Sequence, residues 1–151
     1  MANTQAMTTS FKGEILTATH NFGTAPTRGT SAADTFKAAL YLATASLGAG
    51  TTAYSSTGEV TGTNYTAGGV TVTNATPPAT SGTTAYWTPS ASITYTNVTL
   101  STAFDAVLIY NSSQSDKAVS VHTFGSQTIT AGTFTLLMPT NAAGTALLNI
   151  A

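Results

Sequence analysis

Two alternating runs joined by a polar stretch constrain this chain more than any other feature. In FDAVLIYN (104–111), Phe104, Ala106, Leu108 and Tyr110 are expected on one face of a strand, with Asp105, Val107 and Ile109 on the other. Both faces are almost wholly apolar, which is the pattern of a strand covered on both sides and placed centrally in its sheet. NSSQSDK follows as a turn, and KAVSVHTF (117–124) reads as the returning strand of a hairpin with a longer loop.

A central strand needs neighbours, and the rest of the chain supplies short ones. FKAALYLA (36–43), GGVTVTN (68–74), AYWTP, ASITYTNVTL (91–100), QTIT, TFTLLMP (133–139) and ALLNI (146–150) are rich in β-branched or alternating apolar residues. Residues 44–68 are rich in Gly, Thr and Ser, and 75–83 hold Pro77-Pro78, which cannot sit in a ladder. Eight or nine short strands at this spacing predict a mainly β chain, an antiparallel β-sandwich of jelly-roll or immunoglobulin-like kind. One short N-terminal helix precedes it. FKGEILTATHNF (11–22) sets Phe11, Ile15, Ala18 and Phe22 on one helical face, with Ser10 as N-cap, His20 near the C-terminal end and Gly23 closing it. Residues 1–10 are polar and aperiodic, so they are expected as an arm that frays or orders on a neighbouring subunit; 11–151 form one domain.

Charge is scarce. Lys12, Arg28, Lys37 and Lys117 stand against Glu14, Asp34, Glu59, Asp105 and Asp116, 6% of the chain, where a soluble domain carries about 25%. Four basic residues cannot build a nucleic-acid stripe. No apolar run is long enough to span a bilayer, and MANTQAMTTS lacks the basic and apolar regions of a secretory signal. No partnership with nucleic acid or membrane is therefore expected. With no cysteine there is no disulfide, thiolate metal site or thiol nucleophile. Ile, Leu, Val and Phe number only 28, so the core is thin, while the net charge of −1 is too small to argue for disorder. A thin core with few solubilising charges points to a surface that lies against other subunits.

Catalytic patterns are missing. His20 with Asp34, or His122 with Asp105, could be matched around some serine, but 34 Thr and 14 Ser make such a match empty. No G-x-S-x-G elbow, calcium loop or His cluster occurs, and Gly68-Gly69 does not open a phosphate cradle. No enzyme activity, cofactor or metal is expected. Tyr86 and Trp87 offer the one candidate sugar-stacking platform, whose commoner role is filling a core or an interface.

Several stretches carry a resemblance. MTTSFKGEIL, ADTFKAALYLATASL, TTAYSSTGEVTGTNYTAGGV, FDAVLIYNSSQSDKAVSVHTFG and AGTFTLLMPTNAAGTALLNIA resemble small virion structural proteins of tailed bacteriophages. The shared pattern is a helical start, a Y-x-A-G-G turn (Tyr65 to Gly69), an A-x-L-I-Y-N strand (Ala106 to Asn111) and a terminal apolar strand, over roughly residues 7–151. The resemblance implies a non-enzymatic protein of the virion, made in the host bacterial cytoplasm. Its first expectation is a capsid decoration (cement) protein on the outer surface, bridging major capsid subunits and pairing with copies of itself as a dimer or trimer. A neck, tail or fibre-attachment protein is the alternative, and a carbohydrate-binding sandwich using Tyr86 and Trp87 a more distant one. The expected contacts are the arm, the loops 44–68 and 75–90 and the terminal strand, with Phe11, Tyr54, Tyr65, Tyr86, Trp87, Leu147 and Ile150 as candidate interface residues.

Overall fold

The computed structural model describes residues 2–16, 18–22 and 33–151. Along the chain come β1 (Ala6–Met7), α1 (Thr9–Leu16), β2 (Phe36–Leu42), β3 (Val70–Thr71), β4 (Ala79–Ser81), β5 (Thr84–Trp87), β6 (Ile93–Asn111), β7 (Lys117–Leu136) and β8 (Leu148–Ile150). They form two antiparallel sheets: five strands in the order β1-β7-β6-β2-β3 and three in the order β4-β5-β8. Among the described residues the chain is mainly β, with one short helix near its N-terminus, and its two antiparallel sheets make a β-sandwich.

β6 occupies the middle of the large sheet. It pairs with β2 from Phe36↔Asn111 to Leu42↔Phe104, and with β7 along its other edge. Its apolar character on both faces follows from what covers them. On one side Phe36, Ala38, Leu40, Val107 and Ile109 meet Phe11 of α1, Trp87 of β5 and Leu148 of β8 in one core. On the other, Ala39, Tyr41, Ala106, Leu108 and Tyr110 are covered by Ala45, Leu47 and Tyr54 from the segment after β2. Truncating a fully buried leucine such as Leu108 costs about 2–5 kcal/mol in cores of this density.

Local departures from the sequence expectations have identifiable causes. Phe104 joins Val107 and Ile109 rather than Ala106, because Asp105 is an extra residue opposite Tyr41 and Leu42, and this bulge slips the alternation by one. The runs 91–100 and 104–111 merge into β6, and 117–124, QTIT and 133–136 merge into β7, since bulges bend a ladder without ending it. Ala79–Ser81 forms a strand straight after Pro78, paired through a tight turn at Gly82 whose φ is 56°. α1 begins and ends earlier than its apolar spacing indicated. Thr8, not Ser10, caps it, its Oγ accepting the Phe11 N–H at 3.3 Å. Its C-terminus closes at Ala18 (φ 53°), where Ala18 N–H reaches Ile15 O and Thr19 N–H reaches Glu14 O in a Schellman pattern. The expected closure at Gly23 lies outside the described residues.

The stretch read as an arm is seated on the domain over residues 3–9. Ala6 and Met7 pair with Val121 and Ser120, Thr4 N–H bonds Leu47 O, and Thr9 N–H bonds Ala49 O. The Asn3 amide donates to Asp105 Oδ1 at 2.7 Å and Leu42 O at 3.1 Å, and accepts the Leu47 N–H at 2.9 Å. These polar residues satisfy backbone groups beside β7 that would otherwise face water.

Candidate functional site

α1 is held by its first turn. The Thr8 hydroxyl donates to Ala118 O at 3.0 Å while its N–H bonds Val119 O, so the helix leaves β7 at a fixed point and lays Phe11 inward. Phe11, 1% exposed, meets His20 edge-on at 4.8 Å and Phe22 at 6.0 Å. Phe22 stacks on Phe36 at 4.4 Å and leans on Trp87 at 4.7 Å. Aromatic pairs at these separations contribute about 0.5–1.5 kcal/mol each beyond their buried area.

Between this aromatic wall and the small sheet runs an apolar cleft of about 190 Å³. Phe11, Ile15, Phe22, Tyr86, Trp87 and Ile150 line it, with Pro78, Ala85, Leu148 and the ring of His20. Ile15 (37% exposed) and Ile150 (43%) stand at its rim. They are two of the three large hydrophobic side chains left exposed among the described residues. The structure thus gathers Phe11, Tyr86, Trp87 and Ile150, four of the seven candidate residues, around one opening. Ile15, Phe22 and Pro78 also belong there; only Ile15 and Phe22 carried a signal, their spacing from Phe11.

The other three lie elsewhere. Leu147 lines a second cavity with Ile93, Val107 and Met138. Tyr54 and Tyr65 serve Glu59, a carboxylate only 6% exposed. Tyr54 donates to its Oε2 at 2.6 Å, and Tyr65 (2.7 Å) and the Gly68 N–H (2.8 Å) donate to Oε1. Tyr65 also accepts the Leu40 N–H at 3.0 Å, and Tyr110 donates to Gly68 O at 2.8 Å. Burial first, then the hydrogen bond to Glu59, drives the Tyr54 and Tyr65 phenols well above their ordinary range. Tyr41 and Tyr110 are pushed up to about 12, mainly by burial. The Y-x-A-G-G turn is therefore a brace: a Cβ on Gly69 would lie 1.7 Å from Ala38 O, so only glycine permits that approach.

At the His20 wall of the cleft the charges close on themselves. His20 Nε2 lies 2.7 Å from Glu14 Oε2, and Lys117 Nζ lies 2.6 Å from Glu14 Oε1. Burial alone would raise the Glu14 carboxyl, but the hydrogen bonds from Lys117 and His20 outweigh it and hold it below the ordinary glutamate value. Asn111 donates to Asp34 Oδ2 at 2.7 Å and lies 3.1 Å from His20 Nδ1, so it stands between His20 and Asp34. His122 Nε2 is 2.9 Å from Ser120 Oγ, and Asp105 is bound by Asn3 instead. Burial pushes His122 down to about 4. Ser120, at 1% exposed, offers no accessible nucleophile. Trp87 is 2% exposed with its indole N–H on Thr76 O at 2.9 Å, so it presents no open face for a sugar ring.

Among the described residues no three His, Asp or Glu side chains could hold a metal ion together, and no helix is long and apolar enough to cross a membrane. What the cleft can do is accept an apolar side chain from outside. Comparison with protein-family models, with curated proteins and with solved structures returns no match for this chain.

Proposed function

We propose that this chain is a non-enzymatic structural subunit of a tailed-phage particle, and within the particle a capsid decoration protein. It bridges major capsid subunits on the outer surface and stabilises them through buried area. The observation that carries this reading is the rimmed apolar cleft, with Ile15 and Ile150 exposed beside it, on a chain without an ion from Val60 to Phe104 and from Ala118 to Ala151. A surface of Thr, Ser and Ala costs less to cover than an ionic one, and a cleft of this kind seats a partner's apolar anchor. The sequence resemblance to phage virion proteins supplies the particle.

Protein stoichiometry of purified virions, by quantitative gel densitometry, tests it. A decoration protein is expected at hundreds of copies per particle. A count near twelve moves the chain to the neck or tail, and its absence from the particle rejects the virion reading.

A further inference from the structure

β7 is paired on both sides only near its start, where Ala53 bridges Lys117 and β1 meets Ser120 and Val121. From Thr123 to Leu136, β6 is its one strand neighbour among the described residues. Its other edge therefore offers backbone N–H and C=O groups to any chain that can pair with them. Sheets usually defend such an edge with lysine, another charge or proline. Charge and proline are both missing here: after Lys117 the chain has no ionic side chain, and its next proline is Pro139, beyond the strand; over this stretch the bulges of β7 lie between Thr123 and Gly132 and leave Gly132 to Leu136 regular.

Three further observations fall on the same edge. Gly132 to Leu136 is continuous on β7, opposite Val98 to Ile93, with the irregularity between Tyr95 and Val98 taken up on the β6 side. Thr133 and Thr135 point to solvent, and Leu137, at 81%, is the most exposed large hydrophobic side chain described. Leu137 also lines a cavity of about 230 Å³, together with Phe124, Leu136 and Met138.

We infer that this edge pairs antiparallel with the same edge of a second copy across a two-fold axis, joining two β6–β7 ribbons into one sheet. Charge selects the occupant. An uncharged edge gives an acidic or basic partner nothing to hold, yet sets no like charges together when it meets itself. Opposed residues of an antiparallel pair share a face, so the exposed row Thr133, Thr135 and Leu137 meets its own copy. With Thr135 on the axis, Leu137 covers the partner's Thr133 methyl. The chain already uses this pairing internally, where Thr94 and Thr135 hydroxyls lie 3.4 Å apart across β6 and β7.

The inference deepens the reading above by naming the surface through which copies meet, and it is tested on the purified chain rather than on virions. Sedimentation equilibrium is expected to give twice the 15.2 kDa chain mass. The double variant T133K/T135K is expected to weaken the dimer at least tenfold while keeping the wild-type circular dichroism spectrum, because both positions are exposed. The chain has no cysteine, so T135C alone should form a disulfide-linked dimer on oxidation, and S101C should not. A monomer, a trimer, or a dimer that forms no disulfide from cysteine at 133, 135 or 137 overturns the edge pairing. Each of those results leaves the virion copy number, and so the particle assignment, to be decided separately.

Discussion

At Glu59 a buried carboxylate accepts hydrogen bonds from Tyr54, Tyr65 and the Gly68 amide, and these tie the loop after β2 to the turn at Gly68-Gly69. An amide of the same shape turns an N–H toward groups that are themselves donors. Glu59→Gln is expected to lower unfolding free energy by about 2–4 kcal/mol in urea melts, whereas an exposed control such as Thr61→Ala stays within about 0.5 kcal/mol. His122 sets an acid limit. Its folded value, about 4, lies below its unfolded value near 6.5, so the unfolded chain binds the extra proton. The stabilising effect of the neutral imidazole is complete above about pH 6.5 and falls as pH drops toward 4, by about 3 kcal/mol at most. Glu14 adds a loss only at lower pH, as the folded carboxylate protonates. Denaturation midpoints should therefore decline from pH 6.5 to 4.5 in the wild type and much less in His122→Gln.

Among the elements, β1, with β3 one of the two shortest, is the most consequential. Two residues of ladder, the Asn3 contacts and the Thr8 cap together seat α1 against β7. A free arm would leave stability unchanged when removed. Here, deleting residues 2–9 removes a cap worth about 1 kcal/mol and exposes Phe11 and Val119, so the melting temperature should fall by several degrees in a differential-scanning measurement. The polar composition of MANTQAMTTS hid this, because a strand that bonds through backbone and amide groups needs no apolar pattern. Strand content was legible for the opposite reason. β2, β6 and the start of β7 carry their burial in alternating side chains, while the joints within β6 and β7 depend on bulges such as Asp105 that no local pattern marks.

On the scale of the whole molecule, the two sheets and α1 converge on the cleft. Phe11, Tyr86, Trp87 and Ile150 arrive from helix, hairpin and C-terminal strand, far apart in sequence. If the cleft seats a capsid side chain, Ile15→Asp and Ile150→Asp should each cost the isolated protein no more than about 1–2 kcal/mol, since each side chain is partly exposed and only its remainder lies against the cleft, and both variants should still fold. Binding to undecorated capsids in a co-sedimentation assay should fall at least tenfold. Unchanged binding would place the docking surface elsewhere on the chain.

The sequence by itself determined that this chain is a mainly β sandwich with a short helix at its start, because alternation, β-branched residues and Gly or Pro punctuation are local and act at every strand. It also determined that the surface would be nearly free of charge. Only the tertiary structure decided which aromatic residues face outward and which are spent inside. Trp87 and Phe11 bury in the wall of the cleft, and Tyr54 and Tyr65 turn to a single carboxylate. The edge of β7 is likewise left open because β1 stops after two residues. Burial of a side chain and the pairing of an edge depend on what the fold brings alongside, and those neighbours come from distant parts of the chain.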